Sequence, residues 1–188
     1  MSKAEDIVLV GGSAGSYNLI VELIEALPTF FAAAIVVIIH RNPKFTTRLE
    51  DTLAARLHRP IIQAGDKTTI SKNMVYFAVP GYHLLIEPDR TFSLDISDPV
   101  QFSRPSIDVL FESGAEVYAQ HCTALLLSGA NKDGTDGLTA VQQMGGRIMV
   151  QSPEDALIST MPESAIRAND GIAIVSDQQI ISYFRSLK

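Results

Sequence analysis

Cysteine occurs once in the chain, at Cys122, so no intrachain disulfide can form, which fits a reducing cytoplasm. No apolar run approaches the roughly 18 residues of a membrane-spanning helix, so no direct membrane insertion is expected. The opening MSKAEDIVLVGG leads into an apolar stretch too short for a signal-peptide core and broken by Gly11 and Gly12. Lys and Arg nowhere cluster and the formal net charge is -6, which argues against a nucleic-acid partner, since phosphates are neutralised by grouped cations. Metal-ligand spacings such as His-Glu-x-x-His or Cys-x-x-Cys are missing, and no metal or organic cofactor is expected. Repeats, low-complexity tracts and linkers are missing too, so residues 1–188 are expected to form one domain.

What is present is an alternation of strand-length apolar runs with segments of helical period, the pattern of βαβ units. Asp6–Val10 reads as a buried strand, followed by a helix with Leu19, Ile20, Leu23, Ile24 and Leu27 on one face. Ala34–Ile39 reads as a second strand and Thr46–Leu57 as a second helix. Met74–Val79, His83–Glu87 and Thr91–Ile96 are separated by the tight turns Pro80-Gly81 and Pro88-Asp89-Arg90, which suggests an antiparallel meander at one sheet edge. Pro105 suits the first turn of a helix reaching about Tyr118. Strands Thr123–Ser128, Arg147–Gln151 and Ile172–Val175, with helices between and after them, complete the alternation. The expected fold is α/β: a doubly wound, mainly parallel sheet with helices on both faces and an antiparallel meander at one edge.

Open α/β sheets build their sites at the carboxyl ends of the strands. Ser13 follows the first strand within Gly11-Gly12-Ser13-Ala14-Gly15, His40 follows the second, and Asp133 lies in the loop Gly129-Ala130-Asn131-Lys132-Asp133-Gly134. A Gly-x-Ser-x-Gly turn exposes a serine hydroxyl at a strand-to-helix corner, and the helix N-terminus behind it favours an oxyanion. An imidazole can take the serine proton and return it to a leaving alcohol, and a carboxylate can hold that imidazole in one tautomer. By position alone, however, a glycine-rich turn, a histidine after an apolar strand and an Asp-Gly turn are each ordinary structural features. Asp136 is the alternative acid, although an acidic residue is favoured in the first turn of a helix anyway. His83, His58 and Cys122 read as structural, the last as a small core hydrophobe. A phosphate-binding loop at Gly11–Ser16 fails on spacing, because Ser13 and Ser16 stand where glycines are needed and no Gly-Lys-Ser/Thr occurs.

At these residues the chain resembles the catalytic domain of the CheB-type chemotaxis protein-glutamate methylesterases. Gly11-Gly12-Ser13-Ala14-Gly15 resembles that family's nucleophile turn, and Ile39-His40 its Gln-His. Val79-Pro80-Gly81-Tyr82-His83-Leu84 resembles its Pro-Gly-x-x-His-Leu with one residue fewer between Gly and His, Arg104-Pro105-Ser106-Ile107-Asp108 its Arg-Pro-Ser-Val-Asp, and Ser128–Gly134 its Thr-Gly-Met-Gly-x-Asp-Gly. Gln151 and Met161-Pro162 match later motifs. The resemblance implies a Ser13–His40–Asp133 triad and a serine-esterase reaction on glutamate methyl esters, releasing methanol, often with glutamine deamidation. It implies methylated cytoplasmic helices of chemoreceptors as partners.

The sequence departs from the family pattern around the triad. Ala14 stands for a Thr, Ala130 for a Met, Ser16 for a Gly, Arg41-Asn42-Pro43 for Met-Pro, and Thr160 for a Gly. These changes spare the triad and alter its walls, and they sustain an alternative: a CheB-like binding or signalling domain of weak catalytic power. The strand before Ser13 begins near residue 6, so no N-terminal receiver domain, and no control by phosphorylation in cis, is expected.

Overall fold

A strand covered on both faces is apolar at successive positions, and Ile7-Val8-Leu9-Val10 is buried throughout. The computed structural model describes residues 2–41 and 48–188. Its first half contains β1 (Ile7–Gly12), α1 (Tyr17–Ala26), β2 (Ala34–Ile39), α2 (Leu49–Leu57), β3 (Ile61–Gln63), β4 (Met74–Phe77), β5 (His83–Ile86) and β6 (Phe92–Asp95). The second half contains α3 (Ile107–Tyr118), β7 (Cys122–Leu126), α4 (Thr135–Gln143), β8 (Arg147–Gln151), α5 (Thr160–Ala168), β9 (Ala173–Val175) and α6 (Asp177–Ser186). The expected onset of the second helix at Thr46 lies outside the described residues.

Seven strands pair in parallel in the order β3-β4-β2-β1-β7-β8-β9. The chain therefore starts at the centre and winds outward in both directions, which makes the end of β1 the switch point. Side chains alternate between two apolar layers. Ile7, Leu9, Val36, Ile38 and Leu126 point to a layer closed by α3, α4 and α5. Val8, Val10, Ile35, Val37 and Leu125 point to a layer closed by α1, α2 and α6. The doubly wound α/β architecture expected from the sequence is thus the one observed.

Two details differ from expectation. Met74–Val79 does not belong to an antiparallel meander: β4 inserts between β3 and β2, parallel to both, and only β5 and β6 form an antiparallel pair. The reason lies in burial. Met74-Val75-Tyr76-Phe77 is buried at all positions, as a central parallel strand requires, and the Gly81 N–H donates to the Arg104 carbonyl (3.3 Å) rather than closing a hairpin. Pro105 also precedes rather than enters α3, whose N-cap is Ser106.

Candidate active site

β1 ends in glycine because the chain must turn back on itself there. A Cβ on Gly12 would lie 2.5 Å from Ser16 Oγ, and Gly15 sits at φ +87°, in the left-handed region. The turn closes on the Ser13 carbonyl, which accepts from the Ser16 N–H (3.2 Å) and from Ser16 Oγ (2.7 Å). Both neighbouring ladders continue past the strands. The Ser13 N–H donates to the Ser128 carbonyl beyond β7 (2.9 Å), and the His40 N–H donates to the Gly12 carbonyl (3.2 Å). The backbones of Ser13 and His40 are therefore fixed on adjacent strands, a spacing of roughly 4.8 Å.

Asp133 reaches the same place from the loop after β7. His40 Nε2 lies 2.9 Å from Asp133 Oδ2, across 93 residues of sequence. With Nε2–H donated to the carboxylate, Nδ1 is the nitrogen available to a hydroxyl. Ser13 is partly exposed and its Oγ has no hydrogen-bond partner among the described residues. Asp136 is exposed in the first turn of α4 and is not the residue bonded to His40.

The Asp133 carboxylate is fully buried and accepts three further bonds, from Ser106 Oγ (2.8 Å), the Ile107 N–H (2.8 Å) and the Asp108 N–H (3.1 Å). Burial alone would raise its pKa. The His40 contact, the two backbone donors and the Ser106 hydroxyl more than offset that and hold it below the usual carboxylate range. The neighbouring carboxyl behaves oppositely. Burial, with the Asp133 and Asp136 charges adding to it, pushes Asp108 up to about 7 against the Gly137 N–H it accepts. Two buried carboxyls this close do not ionise together easily, and the donors select Asp133 as the anion.

Ser106 is a hydrogen-bond partner of Asp133 that position along the strands does not reveal; only the Arg-Pro-Ser-Ile-Asp motif marks it. It caps α3 and bonds Asp133, while its own N–H donates to His83 Nδ1 (3.2 Å). His83 is buried and its Nε2 donates to the Asp98 carbonyl (3.1 Å), so its role here is structural support. Gln151 acts similarly on the other flank, accepting from the Ser128 N–H (2.8 Å) and donating to Asp177 (2.7 Å). His58 is an exposed left-handed residue at the end of α2. Burial pushes the Cys122 thiol up to about 12, in keeping with a core hydrophobe.

Beside His40 opens a cleft of about 400 Å³ lined by Arg41, Gly81, Phe102, Ser103 and Arg104. Arg41 forms its wall, paired with Glu50 (2.6 Å) and donating to the Ala78 carbonyl (3.1 Å). No group of His, Cys, Asp and Glu side chains among the described residues could hold a metal ion. None of the described helices is long and apolar enough to cross a membrane.

The chain as a whole is similar to known proteins. The family model described as CheB methylesterase matches residues 8–184. A candidate protein-glutamate methylesterase/protein-glutamine glutaminase of Leptospira interrogans (strain Fiocruz L1-130) is 40% identical over 179 residues, spanning 95% of this chain and 93% of that protein. The protein-glutamate methylesterase/protein-glutamine glutaminase of Trichodesmium erythraeum is 33% identical over 171 residues, which is 89% of this chain and 48% of the relative. This chain thus spans about half the length of that second relative. The crystal structure of the Thermotoga maritima CheB methylesterase catalytic domain superposes with a TM-score of 0.85 at 30% identity, covering 97% of this chain and 100% of that one. The chain belongs to the CheB methylesterase family, a family of hydrolases, and has the fold of its catalytic domain.

Proposed function

We propose that this protein hydrolyses glutamate methyl esters on the cytoplasmic helices of chemoreceptor-like signalling proteins, using Ser13 as nucleophile, His40 as general base and acid, and Asp133 as the acid that orients His40. The observation that carries the reading is the 2.9 Å bond between His40 Nε2 and a fully buried, four-fold hydrogen-bonded Asp133, beside Ser13 at the switch point of the sheet. Ser13 Oγ attacks the ester carbonyl carbon while its proton passes to His40 Nδ1. The tetrahedral intermediate collapses, the C–O bond to the methoxy group breaks, and His40 returns the proton so that methanol leaves. Water, deprotonated by His40, then attacks the acyl-serine and frees the glutamate carboxylate and Ser13. The same attack on a glutamine side chain would release ammonia. Asp133 stays ionised throughout and stabilises the imidazolium. We read residues 1–188 as one such catalytic domain, acting in the cytoplasm without an added cofactor.

A second reading, a CheB-like binding domain of weak catalytic power, draws on Ala14, Ala130 and the unbonded Ser13 hydroxyl. The esterase reading stands ahead of it because catalytic hydrogen bonds commonly close only in the substrate complex. A fluorophosphonate probe separates the two. The wild type is expected to be labelled at Ser13, with labelling abolished in Ser13→Ala and slowed at least about a hundredfold in His40→Gln. A folded wild type that resists the probe would favour the binding domain.

A further inference from the structure

Val100 and Ser103 form an isolated antiparallel bridge, the Ser103 N–H donating to the Val100 carbonyl (2.8 Å) and the Val100 N–H to the Ser103 carbonyl (3.1 Å). The two residues between them, Gln101 (φ 47°) and Phe102 (φ 63°), are both left-handed. Asn and Gly enter such a two-residue turn easily; a phenylalanine enters it with strain. Phe102 is also 99% exposed, so its ring gains nothing from the core. Strained backbone carrying an unburied aromatic ring points to function when it adjoins a site.

It does adjoin one. Phe102 lines the same cleft as His40. The turn is also tied to the loop of the acid: Asn131 Nδ2 donates to Ser103 Oγ (3.1 Å), while Asn131 Oδ1 accepts from the Asp133 N–H (3.3 Å). A second bare apolar side chain borders the serine turn at Gly15. Leu157 is 78% exposed, and a Cβ on Gly15 would lie 2.6 Å from Leu157 Cβ. An exposed apolar side chain thus stands beside the serine turn and another beside His40.

We propose that Phe102 is a substrate-binding residue whose ring docks an apolar side chain of the polypeptide presenting the glutamyl ester to Ser13, with Leu157 as a second anchor. The assignment rests on the esterase reading above. A free small ester has no group to place on either anchor. A polypeptide with apolar residues flanking its esterified glutamate engages both.

The test compares methylated chemoreceptor membranes with p-nitrophenyl acetate as substrates of the wild type and of Phe102→Asn. Asn accepts the left-handed turn, so this variant is expected to melt no lower than the wild type. The ratio of kcat/KM for the membranes to that for p-nitrophenyl acetate is expected to fall about tenfold, equivalent to about 1.4 kcal/mol, with the loss in KM. Wild type and Phe102→Asn showing the same ratio would overturn the role of Phe102 and leave the esterase reading standing. A wild type that hydrolyses p-nitrophenyl acetate but releases no methanol from the membranes would overturn the substrate reading, and this proposal with it.

Discussion

At the scale of single residues, the site is a contest between two buried carboxyls. Asp133 keeps its charge through four donors, and Asp108 keeps its proton toward neutral pH because its burial is met by fewer. Their effects on stability have opposite signs. The donors of Asp133 contribute fully above the ordinary carboxylate pKa of about 4, and that contribution is lost as pH falls through the lowered folded value. The folded protein holds the Asp108 proton more tightly than the unfolded chain does, so stability from this group declines as pH rises from about 4 to about 7. Asp108→Asn keeps an amide oxygen for the Gly137 N–H and removes the titration. Its melting temperature relative to wild type is therefore expected to climb across that window, as thermal denaturation at several pH values would show. A constant difference would mean that Asp108 ionises normally in the fold. This coupling is invisible in the sequence, where Asp108 and Asp133 are 25 residues apart and Asp108 stands out only as the end of the Arg-Pro-Ser-Ile-Asp helix start.

At the scale of elements, α3 is the part that makes the acid. Its N-cap and its first two N–H groups all point at Asp133, so the charge of the carboxylate rests on the helix end as well as on His40. The hairpin strand β5 holds that end in place through His83 Nδ1, which accepts the Ser106 N–H. His83→Ala leaves this buried donor without a partner and is expected to cost about 1–3 kcal/mol of stability. It is also expected to lower kcat for ester hydrolysis about tenfold, with His83→Gln restoring part of both. Urea denaturation and steady-state rates on the three proteins would check this; loss of stability with unchanged kcat would confine His83 to folding. Strands whose apolar runs are long, such as Ala34–Ile39 and Arg147–Gln151, are legible from sequence at both ends. β3 is not, because Ile61–Gln63 is three residues long and only Ile61 is buried. β4 is misread for a different reason: Pro80-Gly81 has the chemistry of a hairpin turn, yet the strand before it pairs with β2, whose partner residues stand 40 positions earlier, and with β3, 14 positions earlier.

At the scale of the whole molecule, a doubly wound order turns distant sequence positions into neighbours. β1 sits between β2 and β7, so the residues following those three strands meet at one edge of the sheet although Ser13, His40 and Asp133 are widely separated in the chain. That convergence is legible from strand ends and motifs together, and the fold and family follow from it. What the sequence leaves open is the wall of the site, where Ala14, Ala130 and Arg41 depart from the family pattern and Phe102 lines the cleft beside His40. The central claim is that Ser13 performs ester hydrolysis on methylated receptor helices. The most direct measurement is methanol release from methylated chemoreceptor membranes by the wild type, Ser13→Ala and Asp133→Asn. Release by the wild type that falls by about 10³-fold or more in Ser13→Ala, and by a comparable factor in Asp133→Asn, is the expected result. Release that persists in Ser13→Ala, or a folded wild type that releases none, would contradict it.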